Sequence, residues 1–240
     1  MRVRVATTIL GITASLLAVP ACSAHTTVSE PTTAPSARTG KPASNATLLS
    51  SAALKTHLLD ENDLGSGYLR KPERPAQHED VTVVGCAALN ELGGDAAIGG
   101  SLSFPRKATA SFTYGGSSSE ISEELYSGHE DTVSDGISQI FEAMTGCPIY
   151  QVVAGGTPID MASQRLTPPR GLGDEQWSQL LTASAGGQST VVKQTAVRAG
   201  SLLLVLSGSP ALVDRHIDKA LDKAMASRAW SCAVCGGVSS

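Results

Sequence analysis

Cysteine is the residue type whose placement in this chain prescribes chemistry most directly. Of five, Cys22 closes an apolar leader, and Cys86, Cys147, Cys232 and Cys235 remain as an even set. In an exported chain such a set reads as disulfides, because thiols oxidise outside the cytoplasm. Four cysteines allow three connectivities. Cys86 with Cys147 and Cys232 with Cys235 is favoured, since each member of the first pair falls at an expected helix boundary. The second pair forms the Cys-x-x-Cys of Cys232-Ala233-Val234-Cys235. It sits in a Gly/Ser tail, not between the strand and helix of a redox unit. Zinc would need two more ligands, and only His216 is close in sequence. No metal site is expected.

Catalytic patterns are equally scarce. His25, His57, His78, His129 and His216 each have a surface reading and no partner at diagnostic spacing. G-x-S-x-G, P-loop, H-E-x-x-H and dinucleotide fingerprints are absent, so no catalytic residue and no cofactor is assigned. The preferred reading is a non-enzymatic binding or sensing protein, and the alternatives are an exported cell-wall-associated hydrolase, which would have to assemble a triad by folding, and a protein-interaction module. Glu120, Glu123 and Glu124, with Glu130 and Asp131 beyond them, raise calcium binding or paired-carboxylate hydrolysis. They lack EF-hand spacing and read as an exposed loop and strand edge. Trp177 and Tyr114 are pocket walls or core, and the scarcity of aromatics favours core.

The front of the chain carries the clearest instruction. Arg2 and Arg4 precede an apolar stretch from Val5 to Val19, the layout of a signal peptide and too short for a comfortable membrane span. Leu17-Ala18-Val19-Pro20-Ala21-Cys22 resembles the lipobox of bacterial lipoproteins. That resemblance implies cleavage before Cys22, lipidation of its sulfur, and a chain held on the outer face of the cytoplasmic membrane by two acyl chains, where one alone would bind marginally. Ordinary secretion, with cleavage after Ala24, is the alternative. The expected division is a leader over 1–21, a lipidated Thr/Ser/Pro/Ala tether over 22–47, a domain over 48–228 and a Cys/Gly/Ser tail over 229–240. The tether has too few large apolar residues to fold by itself. Losing Arg2 and Arg4 with the leader takes Lys plus Arg from 18 to 16 against 22 acidic residues. An acidic chain of this kind is a poor partner for nucleic acid.

Apolar spacing supplies the elements that must position any site. Leu48 to about Asp60 predicts a short helix, ending before Asp63-Leu64-Gly65-Ser66-Gly67 and an extended Tyr68. A second short helix is expected from about Val84, carrying Cys86, Leu89 and Leu92. Ala108 to Tyr114 and Glu120 to Ser127 alternate as a hairpin. Val133, Ile137, Ile140, Phe141 and Met144 stripe a longer helix from about His129 to Thr145, with Gly146 as its C-cap. Ile149 to Val153, Ile159 to Leu166, Gln176 to Ala185, Ser189 to Arg198 and Ser201 to Ser207 read as a meander of strands, the last apolar on both faces and hence central. Ser209 and Pro210 open a closing helix with Val213, Ile217, Ala220, Leu221 and Ala224 inward. Its outer face pairs Arg215 with Asp218 and Lys219 with Asp222. The class is α+β, an antiparallel sheet with helices packed on it in one domain.

Several short words in this arrangement are similar to a known family. They are Leu58-Leu59 before Asp63-Leu64-Gly65-Ser66-Gly67-Tyr68, a cysteine at each end of the helical section, Gly171-Leu172-Gly173-Asp174 before Trp177, and Val197-Arg198-Ala199-Gly200-Ser201. Together they resemble the extracellular sensor-type domain of actinobacterial lipoproteins and PknH-like receptor kinases. The resemblance implies a ligand-sensing cleft on one face of the sheet, for a small-molecule or cell-envelope ligand, and assigns no binding residues.

Overall fold

The structure, a computed structural model, describes residues 48–73, 81–93, 104–116 and 119–233, the last seven as backbone only. The leader, Cys22, the tether, His25, His78 and Cys235 lie outside the described residues, and so does the side chain of Cys232. In order along the chain come α1 (Ser51–Lys55), α2 (Glu61–Leu64), β1 (Tyr68–Arg70), β2 (Val81–Val84), α3 (Ala87–Leu92), β3 (Lys107–Tyr114) and β4 (Ser119–Ser127). They are followed by α4 (Glu130–Gly146), β5 (Ile149–Ala154), β6 (Thr157–Arg165), β7 (Glu175–Ala185), β8 (Gln188–Ala199), β9 (Leu202–Gly208) and α5 (Pro210–Ala233). The strands form one sheet in the order β1-β3-β4-β9-β8-β7-β6-β5-β2. Every pairing is antiparallel. The expected α+β class is therefore what the chain adopts.

Alternation along the strands divides the core between two faces. Phe112, Ile121, Leu125, Leu204 and Leu206 point to one face, where α1, α2 and α5 supply Leu54, Leu59, Leu64, Val213, Ile217 and Ala220. Tyr126, Ala196, Leu203 and Val205 point to the other and meet Val133, Ile137 and Phe141 of α4. Farther along that second face, Val83, Leu89, Met144, Tyr150, Val152 and Met161 pack α3 and the end of α4 over the strands near β2. Helices thus cover opposite faces of the two halves of the sheet. A row of amides crosses beneath α4, where buried Gln179 donates to Gln194 Oε1 at 2.8 Å and accepts from Ser163 Oγ at 3.2 Å.

Four details depart from expectation. The single helix over 48–60 is two: Ser50 caps α1, and Asp60 begins α2 by accepting from Asn62 and Asp63 while Asp63 accepts from the Asp60 N–H. This capping box outcompetes continuation of the first helix. Val84 ends a strand, β2, which pairs with β5, and the helix starts only after Cys86. Gly146 stays helical, and Cys147 is the C-cap of α4. The apolar strand β9 is buried on both faces from Leu202 to Leu206 but lies fourth of nine, with β8 in the middle.

Candidate functional site

β4 carries three glutamates, and its pleat sends consecutive residues to opposite faces. Ser122 and Glu124 face the side that α4 covers farther across. There, next to Thr109 and Ser111 of β3, the chain leaving β1 turns away from the sheet. The result is a polar groove of about 430 Å3, lined by Arg70, Lys71, Glu73, Lys107, Thr109, Ser111, Ser122 and Glu124 among others. This volume falls within the roughly 300–1,000 Å3 of small-molecule sites.

The walls are held in place locally. Lys71 N–H donates to Ser111 O at 2.8 Å, prolonging the ladder between β1 and β3, and its ammonium reaches Glu120 Oε1 at 2.6 Å. Ser111 Oγ and Ser122 Oγ lie 2.8 Å apart on the floor. Tyr126 OH donates to Glu124 Oε2. Burial pushes the Glu124 carboxyl above its ordinary range, while the Tyr126 hydrogen bond and then the Lys107 charge pull the other way. The rim is tied to the opposite face, since Lys107 N–H donates to Ser51 Oγ at the start of α1.

Glu123, one residue before, points into the apolar interior beneath α1 and α2. It is 1% exposed, not the surface carboxylate expected from sequence. Its Oε2 accepts from Leu59 N–H at 2.6 Å, a donor left over by the break between α1 and α2. Its Oε1 is buried without a partner. Burial raises its pKa to about 8, with the Leu59 hydrogen bond and the charge of Lys223 opposing the rise. The signal that could have found it is register: Ile121, Glu123 and Leu125 share one side of a strand.

The histidines do not converge. His216 is 6% exposed, contrary to its surface reading, and its Nε2 lies 2.6 Å from Tyr68 OH. Burial, then Arg215, lowers its pKa. Its place between Val213 and Ala220, at i+3 and i−4 on the apolar stripe of α5, was the available clue. His57 Nδ1 is 3.4 Å from Lys223 O, and His129 is the N-cap of α4 without a side-chain cap bond. The ion pairs expected from spacing along α5, Arg215 with Asp218 and Lys219 with Asp222, give way among the described residues to longer-range ones: Lys219 and Lys223 reach Asp63, Lys223 reaches Asp60 at 2.9 Å, and Lys193 of β8 reaches Asp214. Tyr114 packs at 4.6 Å from the Tyr68 ring. Trp177 lies 6.4 Å from Phe141 and edges a smaller hollow with Arg165 and Pro168.

The sequence words that suggested a family prove to be structural joints. Asp174 N–H donates to Arg198 O at 2.7 Å, Asp174 Oδ2 accepts from Gly200 N–H at 2.7 Å, and Arg198 pairs with Glu175 at 2.7 Å. Gly173 has φ +58, and a Cβ there would strike the Arg198 carbonyl oxygen. The Asp63-to-Tyr68 word meets α5 through Lys223 and His216. Cys86 and Cys147 are joined in a disulfide with Cα atoms 5.8 Å apart, closing a loop of 61 residues and fastening α3 to the end of α4. Among the described residues no helix is long and apolar enough to cross a membrane, and no cluster of His, Cys, Asp and Glu is arranged to hold a metal ion.

No family model matches the chain, and no curated protein matches it in sequence. Solved structures do. The extracellular domain of PknH from Mycobacterium tuberculosis superposes over 74% of this chain and 97% of its own, with a TM-score of 0.54 and 10% identity. The Mycobacterium smegmatis ortholog of Rv0999, an uncharacterised protein, covers 65% of this chain and 82% of its own at a TM-score of 0.35 and 8% identity. The nine-stranded sheet with its helical layers therefore has the fold of the PknH extracellular domain.

Proposed function

We propose that this chain is a lipid-anchored, extracytoplasmic binding protein without catalytic activity, whose domain senses or captures a small ligand in the groove of β3 and β4. The observation that carries the reading is the groove itself, a recess of small-molecule size with both charges and hydroxyls on its walls. The fold shared with an extracellular domain supports the compartment. The leader and Cys22 support the anchor. His216 is engaged by Tyr68 inside the opposite layer, which leaves the groove with no histidine among its described walls.

Two measurements test this. Changing Cys22 to Ala and fractionating cells should move the protein from the membrane to the soluble fraction, and retention on the membrane would refute the anchor. Nuclear magnetic resonance of the full chain against mixed small polar compounds should give saturable shifts at residues 107–111 and 120–124. Turnover of any compound, or shifts confined to other surfaces, would refute the binding site.

A further inference from the structure

The groove is selective in the chemistry it offers. Its floor is made of the Thr109, Ser111 and Ser122 hydroxyls, and each hydroxyl can donate one hydrogen and accept others. The Ser111–Ser122 contact at 2.8 Å uses one donor and one acceptor of that pair, so donating and accepting capacity both remain. At one end the ammonium of Lys71 is already matched by Glu120 at 2.6 Å. At the other, the Glu124 carboxylate accepts from Tyr126 OH, and the positive charge of Lys107 acts on it.

Three classes of occupant fit badly. An apolar ligand would strip water from hydroxyls and charges and return no hydrogen bonds. An anion would meet Glu124 and Glu73, and a cation would meet Lys107 and Lys71. A neutral compound dense in hydroxyls meets neither obstacle. One hydroxyl can donate to Glu124 while a neighbouring one accepts from Lys107, and others exchange hydrogen bonds with the seryl and threonyl floor.

We infer that the groove between β1, β3 and β4 is a saccharide site, with Glu124 and Lys107 addressing adjacent hydroxyls of a neutral sugar and Ser111 and Ser122 forming its floor. The inference rests on the binding role proposed above and narrows its ligand to a neutral saccharide.

The test is a titration of the isotopically labelled full chain with maltose and cellobiose, run beside glucose 6-phosphate as the anionic counterpart, glucosamine as the cationic one and leucine as a non-sugar control. Saturable shifts at residues 107–111 and 120–124 with at least one neutral disaccharide, tighter than with the charged sugars, are expected. The double variant Ser111→Ala with Ser122→Ala should bind about tenfold more weakly, the consequence of one or two lost hydrogen bonds. Glu124→Gln, which keeps an acceptor but loses the charge, should weaken binding less than Glu124→Ala. An unchanged melting temperature in the serine variant separates lost contact from lost fold. Tighter binding of a charged sugar or of leucine in the groove would overturn the saccharide assignment and leave the binding role standing. Silence of the groove toward every probe, or binding unaffected by both sets of variants, would overturn the saccharide assignment. The mixed-compound screen then decides the binding role independently.

Discussion

Two buried ionisable residues, Glu123 and His216, set how the domain responds to pH. The folded chain keeps the Glu123 proton to about pH 8 against an ordinary value of 4.5. It therefore binds a proton that the unfolded chain has released across that interval. The associated stability is complete below the ordinary value and is lost as pH climbs to about 8, at no more than about 1.4 kcal/mol per pH unit. Denaturant melts between pH 5 and pH 9 should show this decline. Glu123→Gln, which retains an acceptor for Leu59 N–H, should flatten it, and an unaltered slope in the variant would assign the effect elsewhere. His216 acts in the opposite direction. Its pKa is lowered by burial, so the stability it confers is present above its ordinary value of 6.5 and is lost as pH falls below it. Ring resonances of His216 should titrate with a midpoint below the ordinary 6.5, and Tyr68→Phe should cost about 1 kcal/mol through the lost buried hydrogen bond. Neither residue was legible as buried by composition, because charge and polarity argue for the surface. Both were legible by position, each standing in line with apolar neighbours on one side of its element.

Among the elements, those with long periodic patterns were read well. The stripe of Val133, Ile137, Phe141 and Met144 gave α4, and the alternation from Ala108 to Tyr114 gave β3. β2 escaped because four residues with only Val83 buried carry no period. The split between α1 and α2 escaped because helical spacing continues through it, and the capping box at Asp60 decides the matter locally. The Cys86–Cys147 disulfide closes 61 residues, so replacing both cysteines by serine should lower stability by about 2–4 kcal/mol. Hydrogen exchange should then quicken in α3 and β2 and stay slow in α5. Equal acceleration everywhere would mean that the bridge supports the whole fold and not one flank. Gly208, at φ +146, lies against Glu120 O and Ile121 Cα at the end of β9. Gly208→Ala should consequently cost more than the roughly 1 kcal/mol typical of a point substitution and disturb the β4–β9 pairing. Gly186→Ala, at a hairpin with open space around it, is the comparison.

For the molecule as a whole, the diagonal arrangement of helices explains where a site can exist. α1, α2 and α5 roof one face of the β1 half, which leaves the other face of β3 and β4 open as the groove. The groove could not be read from sequence, since its walls come from residues 70–73, 107–111 and 122–124, and only strand pairing brings them together. The proposed export and anchor, by contrast, rest on one contiguous stretch ending at Cys22.

Glu123 and Glu124 share a peptide bond yet inhabit different environments, one sealed under a helical cap and the other bordering solvent. Their carboxyls lie on opposite sides of the sheet, and the charges that act on Glu123 are those of Lys223, Asp63 and Arg70, while Lys107 acts on Glu124. Filling the recess with an uncharged guest should therefore leave the midpoint of the alkaline softening where it is, so that occupancy outside and proton balance inside are read independently of each other.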